Sequence, residues 1–264
     1  MSDTLSTVIL GIIEGISEFL PISSTGHLLV AERWLGGRSE LFNVAIQAGA
    51  ILALALIYWR RLLDLLTRFD QPANRDYLAK LTVAFLITAA GGFLATRLGW
   101  KLPESVLPIA LALLIGGIAI LGIEQYVAGK PASSAVTWNV ALWVGACQIL
   151  AAVFPGTSRS AATIFAAMLA GLTLRPAATE FAFLVGIPTM FAATGYELLK
   201  VRGHGAGEDW QPVALGFVIS GVVAFIAVKW LLRYVQSHRF TIFAWYRIVL
   251  GSILLALVTQ GTLH

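Results

Sequence analysis

Six apolar stretches recur along the chain, at roughly 42–58, 80–98, 104–124, 177–199, 212–235 and 242–263, each bounded by charge or proline. A helix needs about 20 residues to cross a bilayer, so each stretch predicts a transmembrane helix. Two other apolar regions, about 5–35 and 136–172, are interrupted midway by the polar motifs EFLPISST and VFPGTSR. Each half is too short to span alone. Irregular backbone at membrane depth survives only where protein or a wet cavity satisfies its N–H and C=O groups. The pattern therefore predicts two re-entrant helix pairs whose polar tips meet inside the protein.

Composition strengthens this reading. With 58% hydrophobic and 12% charged residues and a mean hydropathy of +0.82, the chain is greasier than a soluble domain. Its formal net charge of +4 is spread among loops rather than gathered in one basic, aromatic-interleaved patch, which argues against a nucleic-acid partner. The single cysteine, Cys147, sits in an apolar run and reads as a buried small residue. No basic n-region precedes the first apolar stretch, and Glu14 and Glu18 lie within it, so a cleaved signal peptide is not expected.

Arg60, Arg61, Arg68, Arg75 and Lys80 fill the loop expected at 60–80, and Lys229, Arg233, Arg239 and Arg247 mark 229–247. Basic loops report the cytoplasmic side, and these two agree. Counting spans places 99–103, 200–211 and both termini outside, with 125–135 inside. The first re-entrant pair then opens from outside and the second from the cytoplasm, as an inverted repeat requires. Trp59, Trp100 and Trp245, near span ends, fit interfacial belts.

Aligning Pro21 with Pro155, 134 positions apart, lays FLPISST (19–25) over VFPGTSR (153–159). Ser23 then pairs with Thr157, Ser24 with Ser158 and Glu14 with Gln148. Each motif is followed by a helix, a span ending at Tyr58 or Tyr196, a charged loop and two more spans. The expected fold is an all-α integral membrane protein with six transmembrane helices plus two re-entrant helix pairs in an inverted-topology repeat. It forms a single membrane domain over 1–264, with halves of about 1–130 and 131–264.

A carboxylate at membrane depth costs about 2.5 to 3.5 kcal/mol, so Glu14 and Glu18 need compensation. Spaced i, i+4, they share one helical face with Gly11 and Gly15, which permit close approach of another backbone. Two such carboxylates suit a shared hard divalent cation, Mg2+ or Ca2+; structural pairing with Arg159 is the alternative. Pro21 ends the first half-helix and Ser23 or Ser24 caps the next, presenting unpaired N–H groups at a positive helix end, where phosphate binds. PGTSRS (155–160) repeats the device: Gly156 allows an unusual turn, Thr157 or Ser158 caps, and Arg159 can fork onto two phosphate oxygens. Thr25 and Ser160 belong to the same phosphate-binding clusters. Two such helix ends plus an arginine can grip a diphosphate. His27, three residues after Ser24, falls on the same face, so imidazole and hydroxyl can approach.

EGISEFLPISSTGH and PGTSRSAAT closely resemble the two signature blocks of the undecaprenyl-diphosphate phosphatase family, bacterial membrane phosphatases linked to bacitracin resistance. The likeness extends over essentially the whole chain in length, span order and motif placement. It implies removal of the terminal phosphate from the C55 isoprenoid diphosphate carrier of cell-wall synthesis, with a divalent cation, by a multi-pass protein of the bacterial inner membrane whose site opens to the periplasm. A homodimer is left open. Family roles map onto Glu14, Glu18, Ser23, Ser24, Thr25, His27, Ser158 and Arg159. Two positions depart from the family pattern: Ala161 stands where glycine is common, with the expectation of a more crowded phosphate loop, and Asn43 stands where an acidic residue is frequent.

The expected chemistry is in-line attack on the terminal phosphorus by Ser24, with His27 or Glu18 as proton acceptor. The variant makes His27 the nucleophile, oriented by Glu18. A transporter or flippase for an isoprenoid lipid phosphate is the rival reading, because broken helices in inverted repeats are a transporter signature. The other common class of membrane lipid phosphatase is set aside, since no histidine lies near SRS. His204, His238 and His264 read as solvated. Glu180, near the Asn43 position of the repeat, reads as support for the second motif or as a helix-pairing group.

Overall fold

The computed structural model describes residues 3–99, 105–201 and 209–261. Trp100, His204, His264 and most of the 99–103 and 200–211 loops lie outside them. Eleven helices and no strand occur among the described residues. They are α1 (Asp3–Ser17), α2 (Ser24–Leu35), α3 (Glu40–Ile57), α4 (Trp59–Thr67), α5 (Pro72–Arg97), α6 (Val106–Ala128), α7 (Trp138–Val153), α8 (Arg159–Leu169), α9 (Arg175–Val201), α10 (Trp210–Tyr234) and α11 (Thr241–Thr259). Six of them, α3, α5, α6, α9, α10 and α11, are long and apolar enough to cross a membrane. The broken regions form the short pairs α1/α2 and α7/α8, each folding back at its proline motif.

The expected loop at 60–80 is instead largely helical. α4 is strongly amphipathic: Leu65 is buried and Leu62 packs on the core, while Trp59, Leu63 and Leu66 stay exposed. α5 opens with Pro72 at its first turn, a position where the missing N–H costs nothing. Within its charged first turns Lys80 is satisfied locally, ion-paired with Asp76 and lying 5.7 Å from the Trp138 ring centroid.

Packing exchanges partners between the two halves of the chain. α1 packs on α10 of the second half, and its counterpart α7 packs on α5 of the first. Gly11 and Gly145, 134 positions apart, serve these contacts. A Cβ on Gly11 would stand 3.2 Å from the Gly216 carbonyl oxygen, and one on Gly145 2.7 Å from that of Ala84. Small residues at such crossings let backbones approach where lipid offers no hydrophobic drive for association. α3 also lies along α10 and α6 along α11, and a core including Phe19, Phe165, Phe181 and Phe183 lies beneath the two broken loops. Cys147 is a free thiol packed against that core.

Candidate active site

The two broken loops end in the same local structure. Ser23 caps α2 by accepting from the Gly26 amide at 3.4 Å, and Ser158 caps α8 by accepting from the Ala161 amide at 3.3 Å. Among the described residues these two serines are the non-glycine positions with positive φ, 77° and 69°. Backbone strain of this kind costs about 1–3 kcal/mol and clusters at functional sites. The caps correct the repeat alignment: Ser23 matches Ser158, 135 positions on, so Ser24 matches Arg159 rather than Ser158. Counted from its proline, the second motif reaches its cap one residue later (Pro155 to Ser158 against Pro21 to Ser23), and Gly156, at φ 86°, lies in that stretch. Each cap engages its third helical amide, leaving the first two, Ser24 and Thr25 on α2 and Arg159 and Ser160 on α8, without intrahelical partners.

Between the loops lies a cavity of about 310 Å3, lined by Glu18, Ser23, Ser24, Thr25, Thr157, Ser158 and Arg159 among others. At its wall the Ser24 hydroxyl donates to Glu18 Oε2 at 2.5 Å, and Arg159 Nη2 donates to Glu18 Oε1 at 3.1 Å. One carboxylate thus joins the hydroxyl of the first motif to the guanidinium of the second. Gly186 makes room for that guanidinium, since a Cβ there would come within 2.3 Å of Arg159 Nη1. Arg159 also lies 5.8 Å from the centroid of the Phe19 ring, whose edge packs on Phe183.

Ser160, expected among the phosphate ligands, is instead a tie between the loops. It is fully buried and donates to the Leu20 carbonyl at 3.0 Å. Its one proton is thereby spent, so in the 3.1 Å contact with Ser158 the Ser158 hydroxyl donates. His27 likewise stands apart from the cavity lining. Nδ1 donates to the Ser23 carbonyl at 2.6 Å, because that oxygen can only accept, and Nε2 accepts from the Tyr246 hydroxyl at 2.6 Å. The expected approach of His27 to Ser24 is replaced by these two bonds and by stacking on Tyr246.

Arg247, counted from the sequence as a loop residue marking the cytoplasmic side, is fully buried inside α11. Its guanidinium donates to five carbonyls: Pro21 and Thr157 from Nη1 (3.2 Å each), Ala112 (2.9 Å) and Gly156 (3.2 Å) from Nη2, and Leu113 from Nε (3.4 Å). Gly116 provides the space, as a Cβ there would meet Nη2 at 2.2 Å. One side chain thus holds both loops to α6. The available signal was an arginine inside an apolar run, AWYRIVLGS, which reads as a span residue seeking internal partners.

Glu14 is completely buried, and neither of its carboxylate oxygens has a hydrogen-bond partner among the described residues. It sits one turn before Glu18 on α1, which continues as a turn from Glu14 C=O to Glu18 N–H at 3.0 Å. Glu14, with both oxygens free, is not part of the cavity lining, and both Glu18 oxygens are engaged by Ser24 and Arg159; the two carboxylates are of the hard-oxygen type that a divalent cation takes. Among the described residues no group of three or more His, Cys, Asp or Glu gathers at one point.

Other expected features fall elsewhere. Glu180 pairs with Arg61 at 3.5 Å, beside the polar pocket at the start of α5 and α9, rather than supporting the second motif. Asn43, on α3, does not line the cavity. Ala161 is buried and supplies the amide that Ser158 caps, so its methyl group is accommodated in the core.

A family model described as bacitracin resistance protein BacA matches residues 7–253. A Rhizobium etli (strain CIAT 652) protein named undecaprenyl-diphosphatase is 62% identical over 261 residues, 98% of each chain. Proteins of the same name from Xanthomonas oryzae pv. oryzae (strain PXO99A) and Xanthomonas euvesicatoria pv. vesicatoria are 57% and 55% identical, each over 97% of both chains. The likeness covers both broken loops and the helices that hold them, and the chain belongs to the BacA family.

Proposed function

We propose that the chain hydrolyses undecaprenyl diphosphate to undecaprenyl phosphate and inorganic phosphate, recycling the lipid carrier of cell-wall synthesis. The observation that carries this reading is the Ser24 hydroxyl held at 2.5 Å by Glu18, whose other oxygen takes Arg159. A serine hydroxyl becomes a useful nucleophile when a base receives its proton. Glu18 is that base: as Ser24 Oγ attacks the terminal phosphorus, its proton passes to Glu18 and isoprenyl monophosphate leaves. Arg159 and the N-termini of α2 and α8 stabilise charge on the transferring group. His27, with both ring nitrogens engaged, orients the Ser23 turn in this scheme. A divalent cation held by Glu14 and Glu18 would supply charge neutralisation at the phosphate oxygens.

The protein would act in the bacterial inner membrane with the site opening to the periplasm. From Thr189 the cavity lining continues to Met190, Ala193 and Thr194, towards the C-terminal half of α9. That direction leads away from Arg175 and from the basic segment at Arg60, Arg61, Arg68 and Arg75, which marks the cytoplasmic side. An inverted relation of the two halves would accord with this, since α1/α2 and α7/α8 would then meet from opposite faces.

Phosphate release from a long-chain isoprenyl diphosphate by purified protein in detergent, with and without chelator, tests the reading. A transporter would release none, because detergent abolishes compartments. Near-normal turnover by Ser24→Ala or Glu18→Gln would overturn the site.

A further inference from the structure

Gln148, the repeat counterpart of Glu14, is 2% exposed on α7 and lines the same cavity as Ser24 and Arg159. Its Nε2 donates to Thr88 Oγ1 on α5 at 3.1 Å and to Thr189 Oγ1 on α9 at 3.0 Å. Neither hydroxyl can donate back. Thr88 directs its proton to the Ala84 or Gly145 carbonyl, each at 3.0 Å, and Thr189 directs its own to the Val185 carbonyl at 2.9 Å. A hydroxyl has one hydrogen, so both threonines must accept, and the amide orientation is fixed by its partners. Oε1 is thereby turned away from the threonines. It is buried and has no partner among the described residues.

Leaving a buried acceptor unpaired is unfavourable, and only a donor can relieve it. A phosphate dianion offers none. The same cavity wall carries the complementary group: Arg159 Nη1 is a buried donor without a partner among the described residues, suited to a phosphate oxygen. The cavity therefore has one station for phosphate and another for an O–H group. Glutamine oxygen is a known solution for orienting an attacking water in phosphoryl transfer, because a water that donates to it keeps its lone pair for phosphorus.

We propose that Gln148 is a further catalytic residue, holding through Oε1 the water that clears phosphate from Ser24. The inference rests on the reading of Ser24 as nucleophile. Water attacks the phosphorus of phosphoseryl-24, the new P–O bond forms as the bond from phosphorus to Ser24 Oγ breaks, and Glu18 returns its proton to Ser24. Both hydrogens of the water leave with the product as dihydrogen phosphate.

Rapid-quench kinetics with label in the terminal phosphate test the proposal. Gln148→Met keeps the side chain's length and removes its oxygen. The expected result is an undiminished first turnover, with one equivalent of isoprenyl monophosphate per enzyme. Steady-state phosphate release should fall on the order of 10²-fold, the scale of losing one preorganised hydrogen bond at the reacting group, and labelled phosphoserine should accumulate. Thr189→Val, which keeps Oε1 but removes one anchor of the amide, should slow the same step to a smaller degree. Equal slowing of the first turnover and of phosphate release, in either variant, would overturn the proposal. So would unchanged phosphate release. Failure of the Ser24 reading would show itself separately, as activity retained by Ser24→Ala with no labelled phosphoserine in any variant.

Discussion

Arg247 Nη1 donates at 3.2 Å to the carbonyl of Pro21, a residue 226 positions earlier in the chain. The same nitrogen reaches the Thr157 carbonyl at 3.2 Å, so the two loops that carry Ser24 and Arg159 are fastened to one guanidinium. This contact sets the separation of the two helix N-termini, and with it the gap across which a phosphate would be gripped.

Arg247→Leu should be the most damaging single change outside the cavity. It takes this donor from five carbonyls, and each buried acceptor left unsatisfied costs about 1–3 kcal/mol. Thermal unfolding in detergent should show a large loss. Arg247→Lys, which keeps the charge but lacks the fork that reaches both loops, should fold better and still lose about 10²-fold in kcat, because small misplacements of reacting groups carry that cost. Wild-type turnover by Arg247→Lys would show that loop spacing is not set here.

Glu18→Gln should lower kcat by about 10²–10⁴-fold, the usual contribution of a positioned base. It also leaves Arg159, whose side chain is only 14% exposed, without its carboxylate partner. Ser24→Ala should abolish turnover while leaving Glu18 and Arg159 paired, so its melting temperature should stay near that of the parent. Activity and melting curves measured on the same samples distinguish the two effects.

Glu14→Gln should remove any rise in melting temperature that Mg2+ or Ca2+ produces. Without cation the variant should be at least as stable as the parent, because an unpaired buried carboxylate is replaced by a neutral amide. Persistence of the cation-dependent shift in this variant would place the ion elsewhere.

The caps offer a test of backbone strain. Ser158→Ala loses the hydrogen bond to Ala161 and keeps a Cβ at positive φ, so it should cost about 1–2 kcal/mol. Ser158→Gly loses the same bond but relieves the strain, and should cost only a few tenths of a kcal/mol. The reverse order of melting temperatures would show that the strain is not borne at this position.

Tyr246→Phe removes the hydroxyl that engages His27 Nε2. If His27 only orients the Ser23 turn through Nδ1, kcat should change less than about tenfold and the trapped phosphoenzyme should remain phosphoserine. Phosphohistidine in a quench experiment would restore His27 as nucleophile.

Periodicity and composition were enough to find the six spans, the two broken pairs and the residues of both motifs, because burial in lipid imposes long apolar runs and makes each polar interruption conspicuous. Local chemistry also identified the two caps to within one residue. It failed at α4, where charges masked an amphipathic helix, and at the alignment of the motifs, where the extra residue between proline and cap in the second motif could be located only from the backbone of Ser23 and Ser158.

What tertiary structure alone decided is which polar groups meet. Ser24 and His27 are three residues apart, yet the turn at Ser23 sends the hydroxyl to Glu18 and the imidazole to Tyr246. Arg159 and Arg247 look alike in the sequence as arginines beside or within apolar runs; folding gives one to a carboxylate in the cavity and the other to the carbonyls behind it. Sequence spacing fixes which residues can share a face of one helix. Side-chain partnerships across helices depend on how those helices cross, and here two glycines, Gly116 and Gly186, leave the space that each guanidinium occupies.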